Sequence, residues 1–220
     1  MSLWNTRNEA LREFDRKLKD EANALQNAFD LLDECITRLE TEYNSESYAK
    51  VCALTLTKAR NLLLGSYSLS LDGLAQEAGA LLRPFIEAFE LMVYFNQDPS
   101  RTEEAINNRL PIPGEIAKRI QGQFKELRNY LNAHSSHFGL TTDSTKHLID
   151  WSTLKLKRIQ PHNAKVLRTN LKSIFTFLIF LNVQAIECLF NLGDESVEQI
   201  ADRSEACKVR GFDVFDRPGN

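Results

Sequence analysis

The sequence predicts an all-α protein, a helical bundle of five to six helices with one short strand or hairpin before the last long helix. Three observations lead there. Apolar residues recur three or four positions apart over long stretches, the period of a helix with one buried face. Turn-forming residues cluster at only a few points. The one extended stretch without helical periodicity is 135–160, rich in Ser and Thr.

The first helix is expected over residues 4–42, with Leu11, Phe14, Leu18, Ala22, Leu25, Phe29, Leu32, Ile36 and Leu39 on one face. Asn44-Ser45 ends it. A second helix spans about 47–71, with Val51, Leu54, Thr55, Lys58, Leu62 and Leu69 in helical register and Asp72-Gly73 as its break. A third covers about 74–96; Pro84 predicts a bend or a restart there, and 85–95 is strongly apolar. Ser100 and Glu103 have capping-box spacing for a short helix to about Arg109. The next helix runs from Gly114 to about Ala133 with the stripe Ile116, Ile120, Phe124, Leu127 and Leu131. Leu154 to Ile159 alternates apolar and charged residues, as a half-buried strand does. Pro161 leads into the last long helix, to about Leu192, and a shorter helix covers 194–207. Residues 1–210 form one domain and 211–220 a loose tail.

Composition narrows function. A net charge of −3 implies no global affinity for nucleic acid, so any RNA contact requires a local basic patch. The best such patch is Lys165, Arg168 and Lys172 on one face of the last long helix. Cys35, Cys52, Cys188 and Cys207 form no CxxC pair and are expected as reduced thiols. The longest apolar run, 174–190, is interrupted by Thr176, Asn182, Gln184 and Glu187 and reads as a central bundle helix rather than a membrane span. No secretory signal is visible in 1–19, so a cytoplasmic location with no membrane partner is expected. Walker, GxGxxG and GxSxG patterns are absent, which removes support for nucleotide-triphosphate, dinucleotide and serine-hydrolase chemistry. His134 and His137 lack a nearby third ligand, so no metal and no cofactor is expected.

One stretch is the candidate for chemistry: Arg128-Asn129-Tyr130-Leu131-Asn132-Ala133-His134. In a straight helix Arg128 and His134 lie roughly 120° apart, so they converge only if the helix distorts near Asn132 or two copies meet across a twofold axis. Arg128 pairing with a carboxylate such as Glu87, and His134 as a semi-buried histidine, form the structural alternative.

Arg, a polar residue, four more, then His resembles the motif of HEPN-domain proteins. The order Leu81-Leu82-Arg83-x-x-x-Glu87 ahead of the motif helix is similar to an uncharacterised HEPN-like bacterial group. The resemblance covers about residues 50–190. It implies a homodimeric, metal-independent endoribonuclease of toxin or abortive-infection type, leaving a 2′,3′-cyclic phosphate. His134 is then the acid/base group, Arg128 holds the phosphate, Asn129 orients, and His137, Glu87 and Arg83 are accessory. It equally implies non-catalytic relatives that bind another protein, such as a cognate antitoxin. The apolar excess on the third and last helices independently suggests a homodimer.

Overall fold

The structure, a computed structural model, describes residues 4–122, 124–131, 145–157 and 160–217. Its fold is an all-α bundle, with nine α-helices among the described residues instead of five to six. In chain order they are α1 (Asn5–Arg16), α2 (Lys19–Thr41), α3 (Ser47–Leu71), α4 (Ala75–Gln97), α5 (Thr102–Ile106), α6 (Pro113–Arg119), α7 (Lys125–Leu131), α8 (Ala164–Asn191) and α9 (Val197–Asp216). A minimal antiparallel hairpin, β1 (Ile149–Asp150) and β2 (Lys155–Leu156), precedes α8 as expected.

The higher count has local causes. The expected first helix divides at Lys17, where the N–H groups of both Lys17 and Leu18 bond the Glu13 carbonyl. This redirects the chain and places Leu18 in the core. No Gly or Pro marks the point, so periodicity alone ran through it. Leu11, expected inside, is exposed. The helix expected from Gly114 to Ala133 also divides, into α6 and α7, for a reason that belongs to the site below.

α3 has the expected ends. It closes with a left-handed Gly73 (φ 77°): Gly73 N–H bonds Ser70 O and Leu74 N–H bonds Leu69 O, which satisfies two terminal carbonyls. Its buried face differs from expectation. Leu54 is exposed, and the core side is Cys52, Leu56, Ala59, Leu63 and Ser66. Small residues let α4 and α8 approach closely, so the burial stripe is carried by Ala, Cys and Ser as much as by Leu. α4 continues through Pro84 without restarting. The expected Ser100 cap is supplied instead by Asp98, whose carboxylate accepts from Ser100 N–H at 3.1 Å.

α8 is the central helix. It packs against α2, α3, α4 and α9 and buries Leu171, Ile174, Phe175, Leu178, Leu181 and Leu189. By length and composition it could cross a membrane, but 61% of its most apolar window is buried within the bundle. Its polar interruptions serve the core. Asn182 donates to the Ala28 carbonyl of α2 at 3.0 Å. Gln184 accepts from Asn96 of α4 at 3.0 Å, and Asn96 in turn accepts from Tyr48 of α3 at 2.6 Å. All four cysteines are free; Cys35, Cys52 and Cys188 are buried, and burial pushes the Cys35 thiol up to about 12.

Two corrections remain. The segment 211–216 is not a loose tail: α9 runs to Asp216, with Gly211 and Phe215 buried. Phe212 and Phe215 pack on Phe175 at ring separations of 5.4 and 5.3 Å. The hairpin strand is shorter than expected and not half-buried: Leu154 and Leu156 are each 76% exposed.

Gly211 is required where α9 crosses Phe175, because a Cβ there would lie 2.0 Å from the Phe175 ring. Gly211→Ala should lower stability by about 1–3 kcal/mol, the usual cost of overpacking, despite the better helix propensity of Ala. Thermal denaturation checks this; an unchanged or higher Tm contradicts the packing.

Candidate functional site

α7 carries the Arg128-Asn129 half of the sequence motif and lies over α4. It is held at its start by Phe124, whose ring meets Phe89 of α4 edge-on at 5.5 Å and Phe177 and Phe180 of α8 at 6.3 Å each. Leu131 is buried at its other end. These contacts turn Arg128 toward the face of α4 that bears Arg83, Glu87 and Glu90, spaced four and three apart.

Arg128 donates from one terminal nitrogen to Glu90 Oε2 at 2.9 Å. The pair is sheltered, with side-chain exposures of 13% for Arg128 and 2% for Glu90. Burial raises the Glu90 pKa above its ordinary 4.5, opposed by the positive charges of Arg128 and Arg83 and assisted by Glu87. Arg83 pairs with Glu87 at 2.5 Å. The carboxylate facing Arg128 is therefore Glu90, and the expected partner Glu87 is engaged by Arg83.

The break between α6 and α7 follows from Glu90. α6 closes with Gln121 N–H on Lys118 O at 3.2 Å and Gly122 N–H on Ala117 O at 2.8 Å. In this closure the left-handed position, usually Gly, is Gln121 at φ 52°. The glycine sits one residue later because a Cβ on Gly122 would lie 2.6 Å from Glu90 Oε1. Glycine is spent on close approach to the carboxylate rather than on the turn.

Above this floor is a cavity of about 450 Å³, lined by Arg83, Lys118, Lys125, Arg128 and Asn129, together with the α6–α7 link. Four cationic side chains line it, against one carboxylate paired at its side and one buried beneath. Such a concavity suits an anion. Guanidinium groups offer paired donors to phosphate oxygens, and ammonium groups add charge.

Of the residues singled out in the sequence, Arg83, Arg128 and Asn129 are brought together, with Glu87 alongside through Arg83. His134 and His137 lie outside the described residues. Lys165, Arg168 and Lys172 lie elsewhere, in a groove of about 770 Å³ between α8, the α1–α2 break and the end of α9. Arg168 donates to Glu21 at 2.8 Å and to the Val214 carbonyl at 2.9 Å, and Lys172 pairs with Asp216. That groove shares no lining residue with the Arg128 cavity. Among the described residues no three His, Cys, Asp or Glu side chains are grouped to hold a metal.

Glu90, Gly122, Lys118 and Lys125 escaped sequence reasoning. A signal existed for Glu90: a carboxylate inside the apolar run 85–95, seven residues after Arg83, is the pattern of a buried ion pair. In comparisons with known proteins, no family model, curated protein or solved structure matches the chain.

Two measurements test this geometry. Gly122→Ala should cost about 1–3 kcal/mol as Glu90 is forced aside, whereas Gln121→Gly relieves a left-handed Gln and should not lower the Tm. Arg128→Ala removes the main compensation of a buried carboxylate. Because the folded pKa of Glu90 is raised, its contribution to stability falls as pH rises from about 4.5 through that folded value. Without Arg128 the pKa rises further, so the Tm deficit of Arg128→Ala should widen with pH over this interval. A pH-independent deficit contradicts the pairing.

Proposed function

We propose that this protein is a cytoplasmic, homodimeric HEPN-like endoribonuclease that cleaves RNA without a metal or cofactor. The observation that carries this reading is that Arg128 and Asn129, the first two residues of the Arg128-Asn129-x4-His134 motif, line an open cavity rich in cationic side chains. In the proposed reaction the RNA 2′-oxygen attacks the adjacent phosphorus, the bond to the 5′-oxygen breaks, and a 2′,3′-cyclic phosphate remains. His134 takes the 2′-hydroxyl proton and returns a proton to the leaving 5′-oxygen, a role suited to a group with an unperturbed pKa near 6.5. Arg128 offsets charge on the phosphorane, and Asn129 orients the phosphate. Lys118 and Lys125 follow the backbone. They replace Lys165, Arg168 and Lys172 in that task, because Arg168 and Lys172 are held by carboxylates in a separate groove.

One observation favours a second reading. Arg128 is largely sheltered and ion-paired, as a residue that locks two helices is. In that reading the protein is a non-catalytic HEPN-like module whose partner is another protein, such as a cognate antitoxin.

Incubating the purified protein with RNA in excess chelator separates the two. The nuclease reading expects cyclic-phosphate termini that disappear in His134→Ala and fall steeply in Lys118→Ala/Lys125→Ala, with unchanged thermal denaturation. RNA left intact across structured and unstructured substrates overturns the enzyme and leaves the interaction module.

A further inference from the structure

The reading of the Arg128 cavity as a phosphate site leaves Glu90 unexplained. A carboxylate beneath an anion site opposes the charge the site would hold. Yet Glu90 is 1% exposed, in the most apolar part of α4, and the backbone of Gly122 is pressed against it. One of its oxygens holds Arg128. The other, Oε1, is buried without a hydrogen-bond partner among the described residues, under the α6–α7 link that lines the cavity.

Buried ion pairs add little net stability over hydrophobic packing, so cohesion alone gives little reason for a carboxylate at this position. What the carboxylate does supply is direction. It holds one terminal nitrogen of the guanidinium of Arg128, which also lines the cavity, and a guanidinium has further N–H groups to offer an anion. It also supplies opposition, because its charge lies close enough to Arg128 to compete with any anion entering from above.

We propose that Glu90 is a positioning residue for Arg128, fixing the guanidinium at the cavity wall while its charge holds the anion affinity of the cavity down. This inference rests on the anion-site reading above and adds its control. The charged groups acting on Glu90 are Arg128 from α7 and Arg83 and Glu87 from α4; the α6–α7 link faces it with the backbone of Gly122. Neutralising Glu90, by acid or by substitution, keeps an acceptor for Arg128 and removes the opposing charge. The cavity then binds anions more strongly.

The two contributions separate in two variants. Glu90→Gln keeps shape and acceptor but not charge; Glu90→Ala loses all three. The probe is inorganic sulfate, which does not titrate across about pH 5–8, the interval in which histidines also change charge. Binding is read by calorimetry on the full chain, with thermal denaturation of each variant alongside. The wild type should bind sulfate more tightly as pH falls. Glu90→Gln should bind on the order of fivefold tighter than wild type at the alkaline end, the scale of one screened charge interaction, and the difference should shrink toward the acid end. Comparison at each pH removes any histidine contribution, which both proteins share. Glu90→Ala should bind more weakly than Glu90→Gln because Arg128 is no longer held.

Equal affinities for wild type and Glu90→Gln at every pH overturn the role of Glu90 while leaving the anion cavity standing. Equal affinities for Glu90→Gln and Glu90→Ala overturn positioning. No sulfate binding by any of the three, with folding intact, instead overturns the anion site itself and this inference with it.

Discussion

The ion pair between Glu90 and Arg128 sets the local architecture around it. A carboxylate in the apolar run of α4 is costly to ionise without a cation, and Arg128 is the cation that reaches it. α7 delivers Arg128 by lying over α4, after α6 has closed in a turn at Gln121 and Gly122. The turn must also pass within contact of Glu90 Oε1, and only a residue without Cβ can do so. Gly122 therefore stands at that point, and Gln121 accepts the left-handed conformation that glycine would otherwise take. The cavity lies beside this broken helix, and residues of both halves line it. One buried charge thus connects a helix break, a backbone strain and a concave cationic surface.

This arrangement needs a rigid α4, and the rest of the bundle supplies it. Tyr48, Asn96 and Gln184 form a buried network, extended to the exposed Asn191, that ties α3, α4 and α8 together near the C-terminal end of α4. Such a network is satisfied only in one relative register of the three helices, so it fixes α4 along its axis as well as laterally. Toward the site, Phe85 meets Phe177 edge-on at 5.2 Å, and Phe124 joins the same aromatic group from α7. Arg128 is thereby positioned by packing at the start of α7 and by charge at its middle.

Much of the fold was legible because helical periodicity and glycine punctuation are local properties. α3 ends where Asp72-Gly73 says it should, and α8 ends one residue before Leu192 for the same chemical reason at Gly193. What was not legible depended on contacts distant in sequence. The division at Lys17 carries no turn residue, and the buried Leu18 follows it directly. The continuation of α9 past Gly211 depends on Phe175, some thirty-six residues earlier, filling the space a side chain would occupy. In α3 the buried face was misplaced because Ala, Cys and Ser contribute little to an apolar pattern yet define where helices come closest. At the site, Arg128 and Arg83 were identified from their types and order. Glu90 was hidden because the strong apolar character of 85–95 masks this carboxylate within it.

The two cation-bearing concavities show why residue type alone does not identify an anion site. The groove along α8 has many positive side chains, but Glu13, Asp20 and Glu21 line it with them, and Arg168 is committed to Glu21 and a backbone carbonyl. Its charges are largely spent within the fold. In the Arg128 cavity the acidic side chains are not in the lining: Glu87 is turned to Arg83, and Glu90 lies under backbone. Lys118 and Lys125 are exposed at this cavity, and the buried Glu90 is joined to its lining by Arg128. The opposing charge of this cavity lies below its surface rather than beside it. That difference in placement, and not the number of basic residues, distinguishes the two concavities: carboxylates line the groove along α8 and none lines this cavity.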